Sequence, residues 1–250
     1  MKANRSLWLS QEWSSKKKMP SWPCPICNTG ILLKDGESIK QLYTEETNKA
    51  QRSVFYETEA MAEFRFIGYL KCSHCSERIV ISGNGISVDE FENPAKAVYV
   101  GKKTSIFRPR YFEPALHLID LPPALNKEIQ ELVVKSFMMY WVDLDSCANK
   151  IRQALEFVVK EQGATGGDLH HQIESLRGTI GERITNRLLA LKMIGNEGSH
   201  AGRPFEKSEI LDAYGLLEDV LAQLYPDHTD EERKENLVQK IISNKGLKKA

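Results

Sequence analysis

The sequence predicts an α+β chain in two parts, an N-terminal β unit organised by cysteines and an all-α helical bundle behind it. Three observations carry this reading. Cys24-Pro25-Ile26-Cys27 is answered by Cys72-Ser73-His74-Cys75. Short runs rich in β-branched and aromatic residues, Phe64 to Leu70 and Arg78 to Ser82, flank the second pair. From Leu121 onward the apolar residues recur at the helical period of 3.6.

The totals set the frame. With 250 residues, 41% hydrophobic and 27% charged, the chain has the composition of a globular protein with room for two domains. Its formal net charge of zero hides a split, since residues 1–110 hold 17 Lys and Arg against 12 Asp and Glu, and residues 111–250 hold 17 against 22. The basic half suits nucleic acid or simply solubility, and the acidic half suits a different partner. No run reaches the roughly 18 to 20 apolar residues of a membrane span, and Met1-Lys2-Ala3-Asn4-Arg5 leads into no apolar signal core. The expectation is a cytoplasmic protein with no membrane partner. In such a compartment paired Cys-x-x-Cys motifs read as metal ligands before disulfides, and the fifth cysteine, Cys147, stands alone among helical residues.

The first 20 residues form a basic arm, with Lys2, Arg5, Lys16, Lys17 and Lys18 around Trp8 and Trp13, expected to pack its tryptophans on the next unit. Residues 21–100 form the β unit. Each Cys-x-x-Cys puts two thiolates on one tight turn, and two such turns complete a tetrahedron at about 2.3 Å from an ion. Cys24, Cys27, Cys72 and Cys75 are therefore read as the ligands of one structural Zn2+ per chain, in the manner of a zinc ribbon, the alternative being an unmetallated or redox dithiol pair. Four cysteines leave no open position for a catalytic water, and His74 is a bystander. The 44 residues between Cys27 and Cys72 exceed a compact ribbon, so the insert must fold. Strands are expected at Ser53 to Tyr56, Phe64 to Leu70 and Arg78 to Ser82. Residues 101–120 read as a connector in which Lys102, Lys103, Arg108 and Arg110 alternate with Phe107, Tyr111 and Phe112. Cations for phosphate and rings for bases would make this a single-strand binding strip; otherwise it is a linker whose aromatics pack between domains.

Residues 121–226 form the helical domain. Leu121-Pro122-Pro123 suits a helix start, and Ile129, Leu132, Val133, Ser136, Phe137 and Tyr140 follow the period. A second helix, from about Asp143 to Gln162, buries Leu144, Cys147, Ala148, Ile151, Leu155, Val158 and Val159 and is closed by Gly163. Its opposite side aligns Asp145, Asn149, Arg152 and Glu156, either as a solvated salt-bridged face or as one wall of a cleft. Asp168 caps a short helix whose His170 and His171 lie on the surface. A helix from Arg183 to Ile194 then reaches Gly195-Asn196, followed by His200. Gly195 is either a plain C-cap or the start of a chemical turn, since Asn and His are suited to holding phosphate and moving protons. Ser208 to Tyr225 makes another helix, and Thr229-Asp230-Glu231-Glu232 opens a last charged helix within the tail, 227–250.

Three segments, Leu121-Pro122-Pro123, Ile151-Arg152-Gln153-Ala154-Leu155-Glu156 and Leu191-Lys192-Met193-Ile194-Gly195-Asn196-Glu197-Gly198-Ser199-His200, make the stretch from about Phe112 to Tyr225 resemble the bacterial domain-of-unknown-function family 4145 (DUF4145). That family belongs to the HEPN domains, and an N-terminal cysteine ribbon also occurs with them. The resemblance implies a HEPN-like helical domain, often a homodimer, found in restriction systems and other bacterial defence or toxin settings. In nuclease members an Arg-Asn-x-x-x-His motif cleaves RNA without metal. Asn196 and His200 match that motif and Gly195 stands where the arginine would be, leaving Arg152, Lys192 or Arg203 to supply the cation. The leading expectation is therefore a zinc-containing, defence-associated module that binds RNA, DNA or a protein partner with little or no catalysis. The alternative is a metal-independent ribonuclease using His200 and Asn196; a third is a purely structural subunit of a defence assembly.

Overall fold

The computed structural model describes residues 5–10, 12–52, 62–93, 98–197, 203–227 and 229–246. The fold is α+β, a curled antiparallel sheet followed by a helical region. In chain order the β part contains α1 (Arg5–Leu9), β1 (Trp13–Ser14), β2 (Leu32–Lys34), β3 (Lys40–Tyr43), α2 (Glu45–Arg52), β4 (Ala62–Cys72), β5 (Arg78–Asn93) and β6 (Val98–Glu113). The strands form one sheet in the order β1-β6-β5-β4-β2, with β3 also paired to β4. β4 alternates strictly, its Phe64, Phe66 and Leu70 buried and its Arg65, Ile67 and Tyr69 exposed, as a half-solvated strand should. The insert between the cysteine pairs does fold, contributing β3 and α2. The strand expected at Ser53 to Tyr56 lies outside the described residues.

The connector expected over residues 101–120 is not a connector. Residues 98–113 are β6, paired with β5 along most of their length and with β1 at Trp13↔Phe107. Pro109 and the basic residues disguise the strand. The register passes from Ser82↔Tyr111 to Gly83↔Pro109, so Arg110 is an extra residue at a bulge, the kind of place where a sheet tolerates a proline.

The helical part comprises α3 (Lys127–Met139), α4 (Leu144–Glu161), α5 (Leu169–Ser175), α6 (Arg177–Ile180), α7 (Glu182–Glu197), α8 (Lys207–Leu224) and α9 (Thr229–Gly246). The first of these starts later than Leu121-Pro122-Pro123, because the Asn126 side chain accepts the Glu128 N–H at 2.9 Å and sets the cap there. Asp168 caps α5 as the sequence indicates, Asp143, where the sequence starts the second helix, caps α4, and Gly163 follows α4 at φ +81°. α4 is the central helix, touching α3, α5, α7 and α8, with Cys147, Ala148, Ile151, Leu155, Val158 and Val159 buried. At its heart the Tyr214 hydroxyl donates to Ser136 Oγ at 2.7 Å and Ser136 donates to the Val133 carbonyl at 2.6 Å, so the Cys147 thiol is left to donate to Tyr214 at 3.1 Å.

The two parts share one core. All four tryptophans of the sequence, Trp8, Trp13, Trp22 and Trp141, are buried where the parts meet. Ring contacts run from Phe66 to Trp13 at 5.6 Å, to Trp22 at 5.9 Å, to Trp141 at 6.1 Å, to Tyr140 at 5.6 Å and to Tyr214 at 6.5 Å. Trp8 meets Trp141 edge-on, and its carbonyl accepts from the Tyr140 hydroxyl at 3.0 Å. The arm thus packs its tryptophans as expected, and Trp13 also joins the sheet.

Candidate metal centre

Two turns of the same construction build the centre. Pro23 bridges Ile31 across the first, which holds Cys24 and Cys27; β4 ends at Cys72 and the following turn holds Cys75. The residue after each second cysteine is left-handed, Asn28 at φ 51° and Ser76 at φ 64°, which curls the backbone so that its N–H groups face sulfur. Gly30 N–H points at Cys27 Sγ (3.4 Å), and the N–H groups of His74 and Cys75 point at Cys72 Sγ (3.3 and 3.4 Å). Mutual bonds lock the turns together: Ser73 N–H donates to the Ile31 carbonyl at 2.9 Å and Ile31 N–H to Ser73 Oγ at 3.1 Å. Only glycine fits at position 30, since a Cβ there would lie 2.4 Å from Cys72 Sγ.

The four sulfurs lie within 4.8 Å of one another, with Cys24 to Cys75 at 3.8 Å and Cys27 to Cys72 at 3.6 Å. These separations exceed the ~2.05 Å of a disulfide and match the ~3.8 Å edge of a tetrahedron whose corners stand about 2.3 Å from its centre. The donor set is thus compatible with a metal ion. The N–H groups of Gly30 and Thr29 hold the Cys27 thiol down at about 6, whereas burial pushes Cys24 up to about 12. For Cys72, burial opposes ionisation but the N–H groups of His74 and Cys75 outweigh it. Backbone N–H groups that favour the thiolate at Cys27 and Cys72, beside a Cys24 whose burial disfavours it, are electrostatics that a cation would complete. His74 is exposed and only its backbone takes part.

The other sequence-designated residues scatter. On β6, Lys103 pairs with Asp89 at 3.7 Å while Arg108 pairs with Glu12 at 3.4 Å from the opposite face of the strand. Arg110, at the bulge, lines a pocket toward the helical part with Tyr140, Trp141 and Lys207. Lys102 lies within β6 by its backbone. Phe107 and Phe112 are buried in the core and Tyr111 is exposed, so the basic residues and rings do not form one strip. The alternation of a strand separates what the sequence sets side by side.

On the helical part, Gly195 does not end its helix. α7 continues through Asn196 to Glu197, and Gly195 is buried against α4. A Cβ at 195 would sit 2.4 Å from the Cβ of Arg152 and 3.2 Å from the Ala148 carbonyl, so the bare glycine lets α7 close onto α4. Arg152 fills that space, paired with Glu156 at 3.3 Å. Its Nε is buried with no hydrogen-bond partner among the described residues. Lys192 and Asn196 are half-buried, and Arg203 is engaged by Glu209. His200 lies outside the described residues. The contact between positions 152 and 195 was missed by sequence reasoning, although a glycine inside an amphipathic run is a sign of close helix approach.

A cysteine-clamped sheet sharing its core with a helical domain defines the class. Residues 135–247 match the family model "Domain of unknown function (DUF4145)", and residues 12–112 match "Domain of unknown function (DUF8608)". No curated protein and no solved structure matches the chain. Among the described residues no helix is long and apolar enough to cross a membrane.

Proposed function

We propose that the protein is a zinc-stapled binding module whose β part engages nucleic acid and whose helical part is a HEPN-like domain with little or no catalysis, serving bacterial defence as a homodimer in the cytoplasm. The observation that carries the reading is the closed set of four sulfurs. Cys24, Cys27, Cys72 and Cys75 would each give one thiolate to Zn2+, which would tie the two turns together and leave no position for a reacting water. The excess of cations in residues 1–110 supports a polyanionic ligand for the β part. The test is binding of RNA and DNA oligonucleotides to zinc-loaded full chain across a salt series. Affinity falling steeply with salt supports the reading, and absent or salt-independent binding removes it.

One contact favours a second reading, a metal-independent ribonuclease. The stem of Arg152 lies against Gly195, the position of the family arginine, so α4 could supply the guanidinium that α7 lacks there. With His200 moving protons, this would restore the phosphate-steadying cation. Cleavage of cellular RNA in chelator that disappears in both His200→Ala and Arg152→Ala supports it; equal inactivity of the folded wild type and both variants sets it aside.

A further inference from the structure

We infer that the solvent face of the sheet, centred on Tyr69 and Tyr111, is a platform for single-stranded nucleic acid. The inference rests on the nucleic-acid reading above and names its surface, which is not the β6 strip that the sequence suggested. Register places the residues. On this face Arg65 of β4 lies across from Asn84 of β5 and Arg108 of β6, and Ile67 across from Ser82 and Tyr111; Tyr69 lies across from Val80 and Glu113. β3 extends the rows with Leu42 beside Arg65 and Lys40 beside Ile67.

Three features select the ligand. Rings are available, Tyr69 being 48% and Tyr111 41% exposed, with Ile67, two residues before Tyr69 on β4 and in the row of Tyr111, at 58%. Ser82 and Val80 of β5 are smaller, so the two tyrosines flank a shallow trough about 10 Å across, the spacing of two strand intervals. The Tyr111 hydroxyl donates to Glu113 at 2.9 Å, which fixes its ring on the face.

Charge is the second feature. Lys40, Arg65 and Lys71 have no ion-pair partner among the described residues, whereas the rim cations Arg78 and Arg108 are held by Asp35 and Glu12. Among the described residues, Glu63 and Glu113 are the strand carboxylates on the face, two against three cations, and Glu113 keeps its charge while accepting from Tyr111. Third, the cations border the rings: Lys71 lies two residues beyond Tyr69 on β4, Lys40 sits beside Ile67, and Arg65 stands in the row next to that of Tyr111. Phosphates on cations with bases on rings is how unpaired strands are held, whereas an acidic peptide would use the cations and leave the rings idle. A duplex keeps its bases stacked internally and gains nothing from the tyrosines.

The test uses full-length, zinc-loaded protein and fluorescent oligouridylate and oligothymidylate, with a duplex of matching length. Tyr69→Ala and Tyr111→Ala should each weaken single-strand binding about five- to hundredfold, while Tyr69→Phe, which keeps its ring, binds as wild type does. Arg65→Glu with Lys71→Glu should lower the slope of log affinity against log salt by about 1.4. Melting curves check that the variants fold. If wild type binds single strands but these variants bind equally well, the platform is wrong and the wider nucleic-acid reading stands. If the wild type binds no oligonucleotide, both fall. A duplex bound as tightly as the single strand, with Tyr→Ala variants unaffected, also overturns the platform.

Discussion

The two parts of the chain solve the burial problem differently. The helical part surrounds α4 with partners on several sides, so its buried residues touch other helices and its polar core atoms form a continuous chain from Cys147 through Tyr214 and Ser136 to Val133. The sheet buries one face only. Its other face stands in water, and one end is closed by the paired turns that hold four cysteines. A sheet that buries one face only takes less from apolar burial than a helix packed on several sides. The difference teaches where each part takes its stability: packing of helices around α4 in one, and interlocked cysteine turns with a tryptophan cluster shared with Trp141 of the helical part in the other.

The largest expected effect sharpens that contrast. Stripping the proposed zinc with a strong chelator should disrupt the β part, since structural zinc contributes on the order of 10 kcal/mol to the folding of small metal domains. The near-ultraviolet signal of the tryptophans should change while most of the 222 nm helical signal stays. Loss of both together would mean that the helical part depends on the metal as well.

Next comes the junction. Trp22→Ala empties the space between Trp13, Phe112 and Trp141 and should cost about 3–5 kcal/mol in denaturant unfolding. A cost below about 1 kcal/mol would show that the two parts lean on each other little.

Gly195 tests packing within the helical part. Gly195→Ala should destabilise by about 1–3 kcal/mol through overpacking on Arg152. Combined with Arg152→Gly, which removes the opposing Cβ, the double variant should be more stable than the sum of the singles, as a double-mutant cycle would reveal. Simple additivity would refute the contact.

The smallest effect is one of pH. Burial, with a lesser contribution from Arg110, holds the Lys207 ammonium down at about 8, over the rings of Tyr140 and Trp141 at 4.8 and 4.9 Å. The unfolded chain keeps that proton to about 10.4, so between these values it binds more protons than the fold, and stability gains from Lys207 as pH rises. Lys207→Met should therefore be slightly more stable than wild type at pH 7, with the advantage fading by about pH 10.4. A constant difference across that range would mean that ring attraction, not burial, dominates.

What the sequence made legible follows the same division. Spaced thiols and helical periodicity are local signals, so the four cysteines, the cap at Asp168 and the buried face of α4 could be read directly. β6 could not, because Pro109, the Arg110 bulge and interspersed cations break the alternation, and only pairing with β5 makes the segment a strand. Gly195 misled for a related reason: glycine near an apolar run usually ends a helix, and only the stem of Arg152 on a neighbouring helix explains why it continues one. The outer face of the sheet was illegible too, since Tyr69 and Tyr111 are 42 residues apart in sequence and are brought together only by the register through β5.

Elemental analysis of the purified full chain, beside Cys24→Ser, tests most directly whether the four sulfurs hold a metal. One zinc per chain, lost in the variant together with the tryptophan signal of the junction, is the predicted result. A metal-free wild type that melts no differently from Cys24→Ser would contradict it.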